Sequence, residues 1–229
     1  MPAAVQRNPG THMLVEITKD GMLIHARVKN ARSPAIERGK RTAAITGIVV
    51  HQTDANTAQS SLNSYKNPKA NAAHFLIDKD GTIYQTAAIY QRTNHVGPLK
   101  ARCLLVGKCR AKDYEGAGVK GMHRIEMMKA PGDRYPSNME AIGIERVGRA
   151  VLPKGFKPPQ RRKELSPEGI RGEFGVYPTP TEAQNRALTW LVEALQDSMQ
   201  LSPSEIFKHP EVSRKNLSEA EGANWEMAP

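Results

Sequence analysis

The run ITGIVVH at residues 45–51 is compact, rich in β-branched side chains and unbroken by charge, and it gives way at Gln52-Thr53-Asp54 to residues that favour turns. A short apolar run bounded in this way reads as a central strand buried on both faces. It leaves one imidazole, His51, at the strand's exit. A second strand is expected over Ala141–Val147, where Ile142 and Ile144 alternate with Gly143 and Glu145. With a period of two, the isoleucines face the core and Glu145 faces the other way. Two hairpins are expected around these strands. One joins Leu14–Ile17 to Met22–Val28 through Asp20-Gly21, and the other joins His74–Asp78 to Thr82–Gln85 through Lys79-Asp80-Gly81.

Helical signals are fewer. Ala55–Tyr65 is weakly helical and ends at Asn67-Pro68. The clearest helix has Thr179 as N-cap, Pro180 at its first position and Glu182 completing a capping box. Ala187, Leu188, Leu191, Val192 and Leu195 then form one apolar stripe suited to covering a sheet. Ser202-Pro203 starts a short turn or helix running through Phe207. These elements predict an α/β (α+β) fold: a mixed central sheet of about five strands flanked by helices, with long loop insertions. Residues 1–40 read as an N-terminal extension carrying the first hairpin, and residues 41–229 as the main domain, with insertions near 97–140 and 148–178.

Composition bounds the function. The 229 residues carry 33 Lys and Arg against 23 Asp and Glu, a net charge of +10. Such a charge fits nucleic acid or an anionic cell-envelope polymer. The basic residues are dispersed, and the one dense run, KPPQRRK at 157–163, is broken by proline. No finger, aromatic RNA-binding strand or helix-turn-helix pattern accompanies them, so no nucleic-acid partner is expected. The longest apolar stretch, around Ile48–Val50, is far short of the ~18 residues that cross a bilayer, and no stable membrane insertion is expected. Met1–His12 has no apolar segment of the export-signal kind. Cys103 and Cys109 are equally compatible with a local disulfide and with two inert thiols.

His51, Glu145 and His209 each stand where an element gives way to a loop. Neutral imidazoles and carboxylates on rigid element ends are what a catalytic zinc site needs. Taken singly, each fits a structural or solvated residue better than a member of a metal site. In combination they resemble a family. VVHQT at 49–53, AHFLIDKDGTIYQ at 73–85, RTNHVG at 92–97, AIGIE at 141–145 and HPEVSRKNLSEAEG at 209–222 come in the order and at about the spacing of type 2 N-acetylmuramoyl-L-alanine amidases, which share their fold with peptidoglycan recognition proteins.

The resemblance implies a zinc (Zn2+) hydrolase that cuts the amide between N-acetylmuramic acid and L-alanine in peptidoglycan. It implies His51 and His209 as zinc ligands, Glu145 as the residue that deprotonates water, and Lys215 as the cation that steadies the oxyanion. The family's third ligand is a Cys or Asp eight to ten residues after the second His, and those positions here are Leu217 and Glu219. Glu219 is therefore the expected ligand, with Glu221 as the substitute. Ala73 stands where many relatives have Tyr. His74 is expected as a hydrogen-bonding strand-end residue beside the substrate, and Asn94 and His95 as residues lining the substrate groove. His123 is expected to be structural or exposed. A non-catalytic peptidoglycan-binding module of the same fold is the alternative. The setting expected is cytoplasmic in the producer or the periplasm of a target cell reached as a secreted antibacterial effector or phage lysin, the former with an immunity protein as partner.

Overall fold

The computed structural model describes residues 14–162 and 164–226. The reading of Met1–His12 lies outside them. In chain order the elements are β1 (Glu16–Ile17), β2 (Leu23–Ile24), β3 (Val28–Asn30), β4 (Gly47–Gln52), α1 (Ala58–Ser64), β5 (Phe75–Ile77), β6 (Ile83–Gln85), α2 (Arg102–Leu105), α3 (Gly118–Met127), β7 (Ala141–Arg146), α4 (Pro167–Phe174), α5 (Glu182–Met199), β8 (Ile206–Lys208) and α6 (His209–Val212). β1 and β2 form a small antiparallel pair, and the remaining six strands form one sheet in the order β3-β6-β5-β7-β4-β8. Only β5 and β6 are antiparallel in it.

The mixed α/β architecture is as expected, with one more strand than the five anticipated. β8 is the reason. Ser202-Pro203 opens a single 3-10 turn, Pro203–Glu205, and the next three residues extend along β4 rather than continuing a helix. Ile206 and Phe207 bury there, which outweighs a weak local preference for helix. The first hairpin is shorter than expected. Gly21, at φ 93°, makes the turn, but Val28 leaves the hairpin to begin β3 beside β6.

The even-numbered positions of β4 and β7 carry Ile48, Val50, Ile142 and Ile144, all fully buried. With Phe75, Ile77 and Ile83 they meet Leu188, Leu191, Val192 and Leu195 of α5 in the main core. Each such side chain contributes roughly 1.5–3 kcal/mol when buried. The cap of α5 falls two residues later than the Thr179-Pro180-Glu182 pattern suggests. Thr181 Oγ1 accepts from the Gln184 amide at 3.1 Å, and Gln184 Oε1 accepts from the Thr181 amide at 3.1 Å. Both frames satisfy the capping-box rule. Thr181 also donates to the Lys79 carbonyl at 2.6 Å, a bond to the β5–β6 turn that selects the later frame.

The 97–140 insertion is not featureless. It holds α2 and α3, with Cys103 bonded to Cys109. The buried Arg134–Glu140 ion pair, at 2.9 Å, braces its C-terminal end just before β7, and the Lys100 amide donates to the Val212 carbonyl of α6 at 2.8 Å. The 148–178 insertion holds α4, anchored by Arg171 to Asp54 at 2.7 Å. No helix among the described residues is long and apolar enough to cross a membrane.

Candidate metal centre

Strand register assembles the site. β4 lies between β7 and β8, all three parallel, with His51 paired to Glu145 and Val50 paired to Lys208. Parallel partners in register project to the same face, so His51 and Glu145 stand side by side. His209 follows Lys208 directly, at the start of α6, and is carried to the same sheet end. Glu211 accepts from the Lys208 amide at 2.9 Å and Pro210 sits in the first turn of α6, which fixes the direction in which His209 leaves the strand. Glu219 reaches the pair from the following loop, where its amide donates to the Asn216 carbonyl.

His51 Nδ1 lies 2.7 Å from His209 Nδ1, and Glu219 Oε1 lies 2.8 Å from His209 Nδ1 and 3.6 Å from His51 Nδ1. All three residues are buried, and their donor atoms fall within 4.8 Å of one another. Burial, with His209 and Lys215 nearby, lowers the His51 pKa to about 3, so it presents a neutral lone pair. Burial raises the carboxyl of Glu219, but hydrogen bonds and charge from His209 and His51 overcome it and hold it well below the ordinary carboxylate range. Two imidazole nitrogens and a carboxylate oxygen this close together form a set that fits a borderline divalent cation such as zinc. Three protein donors is the count of catalytic sites, which keep a position for water or substrate.

Beside these donors is a cleft of about 290 Å³, lined also by Glu145, Lys215, Asn94 and His95. Glu145 is partly exposed, yet its Oε2 is buried with no hydrogen-bond partner among the described residues. Burial, aided by the charge of Glu219, pushes its pKa up from 4.5 to about 8 against the pull of Lys215 and Arg146. A carboxylate poised near neutrality can take a proton and return it. Lys215 is exposed and lines the cleft, and its charge acts on both His51 and Glu145.

Other expected residues fall elsewhere. Glu221 is exposed and lines a neighbouring groove, so the donor cluster contains Glu219 alone of the two acids. His74 does not line the cleft. It is fully buried, its Nδ1 accepts from the Gly143 amide at 3.0 Å, and its Nε2 lies 2.8 Å from Arg41 Nη2 and 3.0 Å from the Gln91 carbonyl, so both ring nitrogens are engaged within the protein and no polar edge is left for a substrate. His123 is structural, its Nδ1 accepting from the Leu99 amide at 3.2 Å. Tyr177 was not singled out from sequence, because it lies in a patternless insertion. It lines the cleft, and burial together with Glu219, Asp54 and Glu145 raises its pKa, so its hydroxyl stays protonated and is available as a donor. Arg146, fully buried on the opposite sheet face, was likewise missed.

Comparison with known proteins places these features in a family. The model of the family described as N-acetylmuramoyl-L-alanine amidase matches residues 41–220. No curated protein matches. Among solved structures, a selenomethionine derivative of AmpD is 16% identical, with 93% of this chain and 94% of that chain covered and a TM-score of 0.49. A mutant endolysin from Bacillus subtilis is 17% identical over 80% of this chain and 82% of that one, with a TM-score of 0.43. AmpDh3 from Pseudomonas aeruginosa, in complex with anhydromuramic pentapeptide, is 18% identical over 76% and 55%, with a TM-score of 0.44. With 180 of its 229 residues matched by that family's model, the chain belongs to the N-acetylmuramoyl-L-alanine amidases, hydrolases of peptidoglycan.

Proposed function

We propose that this amidase is zinc-dependent, with His51, His209 and Glu219 holding the ion and Glu145 and Lys215 acting on the scissile amide between N-acetylmuramic acid and L-alanine. The observation that carries this reading is the convergence of His51 Nδ1, His209 Nδ1 and Glu219 Oε1 beside the partnerless Oε2 of Glu145. Zinc supplies Lewis acidity toward the amide carbonyl and toward a water molecule. Glu145 takes the proton of the attacking water and delivers it to the departing nitrogen. Lys215, exposed on the cleft rim, is suited to offset negative charge on the carbonyl oxygen. Asn94, which also lines the cleft, is suited to polar groups of the muramyl or peptide portion.

The reading extends to where the enzyme works. The Cys103–Cys109 disulfide and the net charge of +10 both suit an oxidising, anionic envelope, which supports action in the periplasm of a target cell as a delivered effector or lysin. For an effector, a producing cell would need an immunity protein.

Purified peptidoglycan incubated with wild type, chelator-treated protein and Glu145→Gln tests the chemistry. Mass spectrometry is expected to find free stem peptides with wild type only, restored to the chelated sample by added zinc. Identical products in all three arms would overturn the assignment.

A further inference from the structure

His95 lies in a segment read as lining the substrate groove, but its ring is turned toward a metal ligand. Its Nδ1 sits 3.0 Å from His51 Nε2, and its Nε2 lies 3.4 Å from the Ala141 carbonyl. The two rings meet nearly edge to face, at 81° with centroids 5.1 Å apart. Only 8% of His95 is exposed. His51 turns its other nitrogen, Nδ1, to His209 and Glu219.

With a cation at His51 Nδ1, these contacts fix both tautomers. A neutral imidazole carries one proton, so a His51 that offers the Nδ1 lone pair to a cation must be protonated at Nε2. That proton can go only toward His95 Nδ1, which must then accept. The proton of His95 is left on Nε2, directed at the Ala141 carbonyl.

The surroundings are built for this ring. At Gly143, on the strand next to His51, a Cβ would come 2.7 Å from His95 Nδ1 and 2.8 Å from its Cγ. Only glycine admits the imidazole there. Asn138, at the end of the 97–140 insertion, clamps the backbone: its Oδ1 accepts from the amides of His95 at 2.9 Å and Val96 at 2.7 Å, and its Nδ2 donates to the Val96 carbonyl at 2.9 Å. His74 stands edge-on to the ring, with centroids 5.6 Å apart.

We propose that His95 is a positioning residue for His51, fixing the tautomer and orientation of that ligand through the Nε2–Nδ1 hydrogen bond, and not a substrate contact. The inference rests on the zinc reading above. Partners of this kind typically change metal affinity 10–100-fold when removed.

The test compares wild type with His95→Phe, which keeps a ring but no acceptor, His95→Gln, which keeps an acceptor, and Gly143→Ala, which displaces the ring. Zinc affinity is measured by chelator competition, and kcat and KM on a muropeptide at saturating zinc. His95→Phe and Gly143→Ala are expected to bind zinc about 10–100-fold more weakly with KM within about twofold of wild type, and Gln to recover most of the loss. Unchanged zinc affinity in Phe, a raised KM with intact affinity, or a Phe variant that binds as well as Gln overturns the proposal. Wild-type protein that takes up no zinc sinks the metal reading itself, a separate outcome. In zinc-loaded wild type, 15N NMR is expected to find His51 and His95 both protonated at Nε2, and a proton on His95 Nδ1 is equally fatal.

Discussion

Glu145 shares its strand with a fully buried arginine and its cleft with a carboxylate donor, and its own proton is the price of that position. Its folded pKa of about 8 lies above the ordinary 4.5, so the folded state binds the proton more tightly than the unfolded chain. Wild-type stability therefore falls as pH rises through that window, and Glu145→Gln escapes the loss. In zinc-free protein the variant is expected to match wild type near pH 4.5 and to exceed it increasingly as pH rises, by up to about 4 kcal/mol at pH 8, read from urea melts. A gap that does not grow with pH would refute this. The same variant should lose ~100-fold or more in turnover. At the third ligand, Glu219→Ala is expected to abolish zinc uptake measured by elemental analysis, and Glu221→Ala to retain it. His51, His209 and Glu145 were legible as residues at element ends, whereas Glu219 and Glu221 differ only in where a loop turns, which no periodicity encodes.

At the scale of elements, helix α5 illustrates how local rules leave a choice open. Its apolar stripe predicts the helix and its buried face, because side chains 3.6 residues per turn apart share one side. The stripe says nothing of which threonine caps it. Thr181→Ala is expected to lower stability by about 1 kcal/mol in thermal or urea unfolding, and Thr179→Ala to leave it within about 0.5 kcal/mol. Equal effects would return the cap to the earlier frame. β8 carries the same lesson. Ile206, Phe207 and Lys208 have no strand signature by themselves, and they extend because β4 offers an open edge with unpaired backbone groups.

For the whole molecule, the insertion at 97–140 joins the periphery to the centre: it is stapled by Cys103–Cys109 near one end and supplies Asn138 to the His95 loop at the other. Removing the staple with Cys103→Ser and Cys109→Ser is expected to cost about 2 kcal/mol, a figure set by the short loop it closes, with the loss of amide-exchange protection concentrated around α2. Zinc content and reaction products should not change, because Asn138 and the Arg134–Glu140 pair hold the far end independently. Loss of zinc in the double variant would contradict that separation. The sequence by itself determined the α/β class, the two central strands, the helix that covers them, and which imidazoles and carboxylate sit at element ends, since alternation and helical spacing are local properties. Only the tertiary structure decided that His51 and His209, 158 residues apart, meet at 2.7 Å, that Glu219 completes the set, and that His95 turns to His51 past Gly143. Those contacts follow from the parallel register of β4 with β7 and β8 and from loop closure, pairings between distant segments that no single stretch of chain carries.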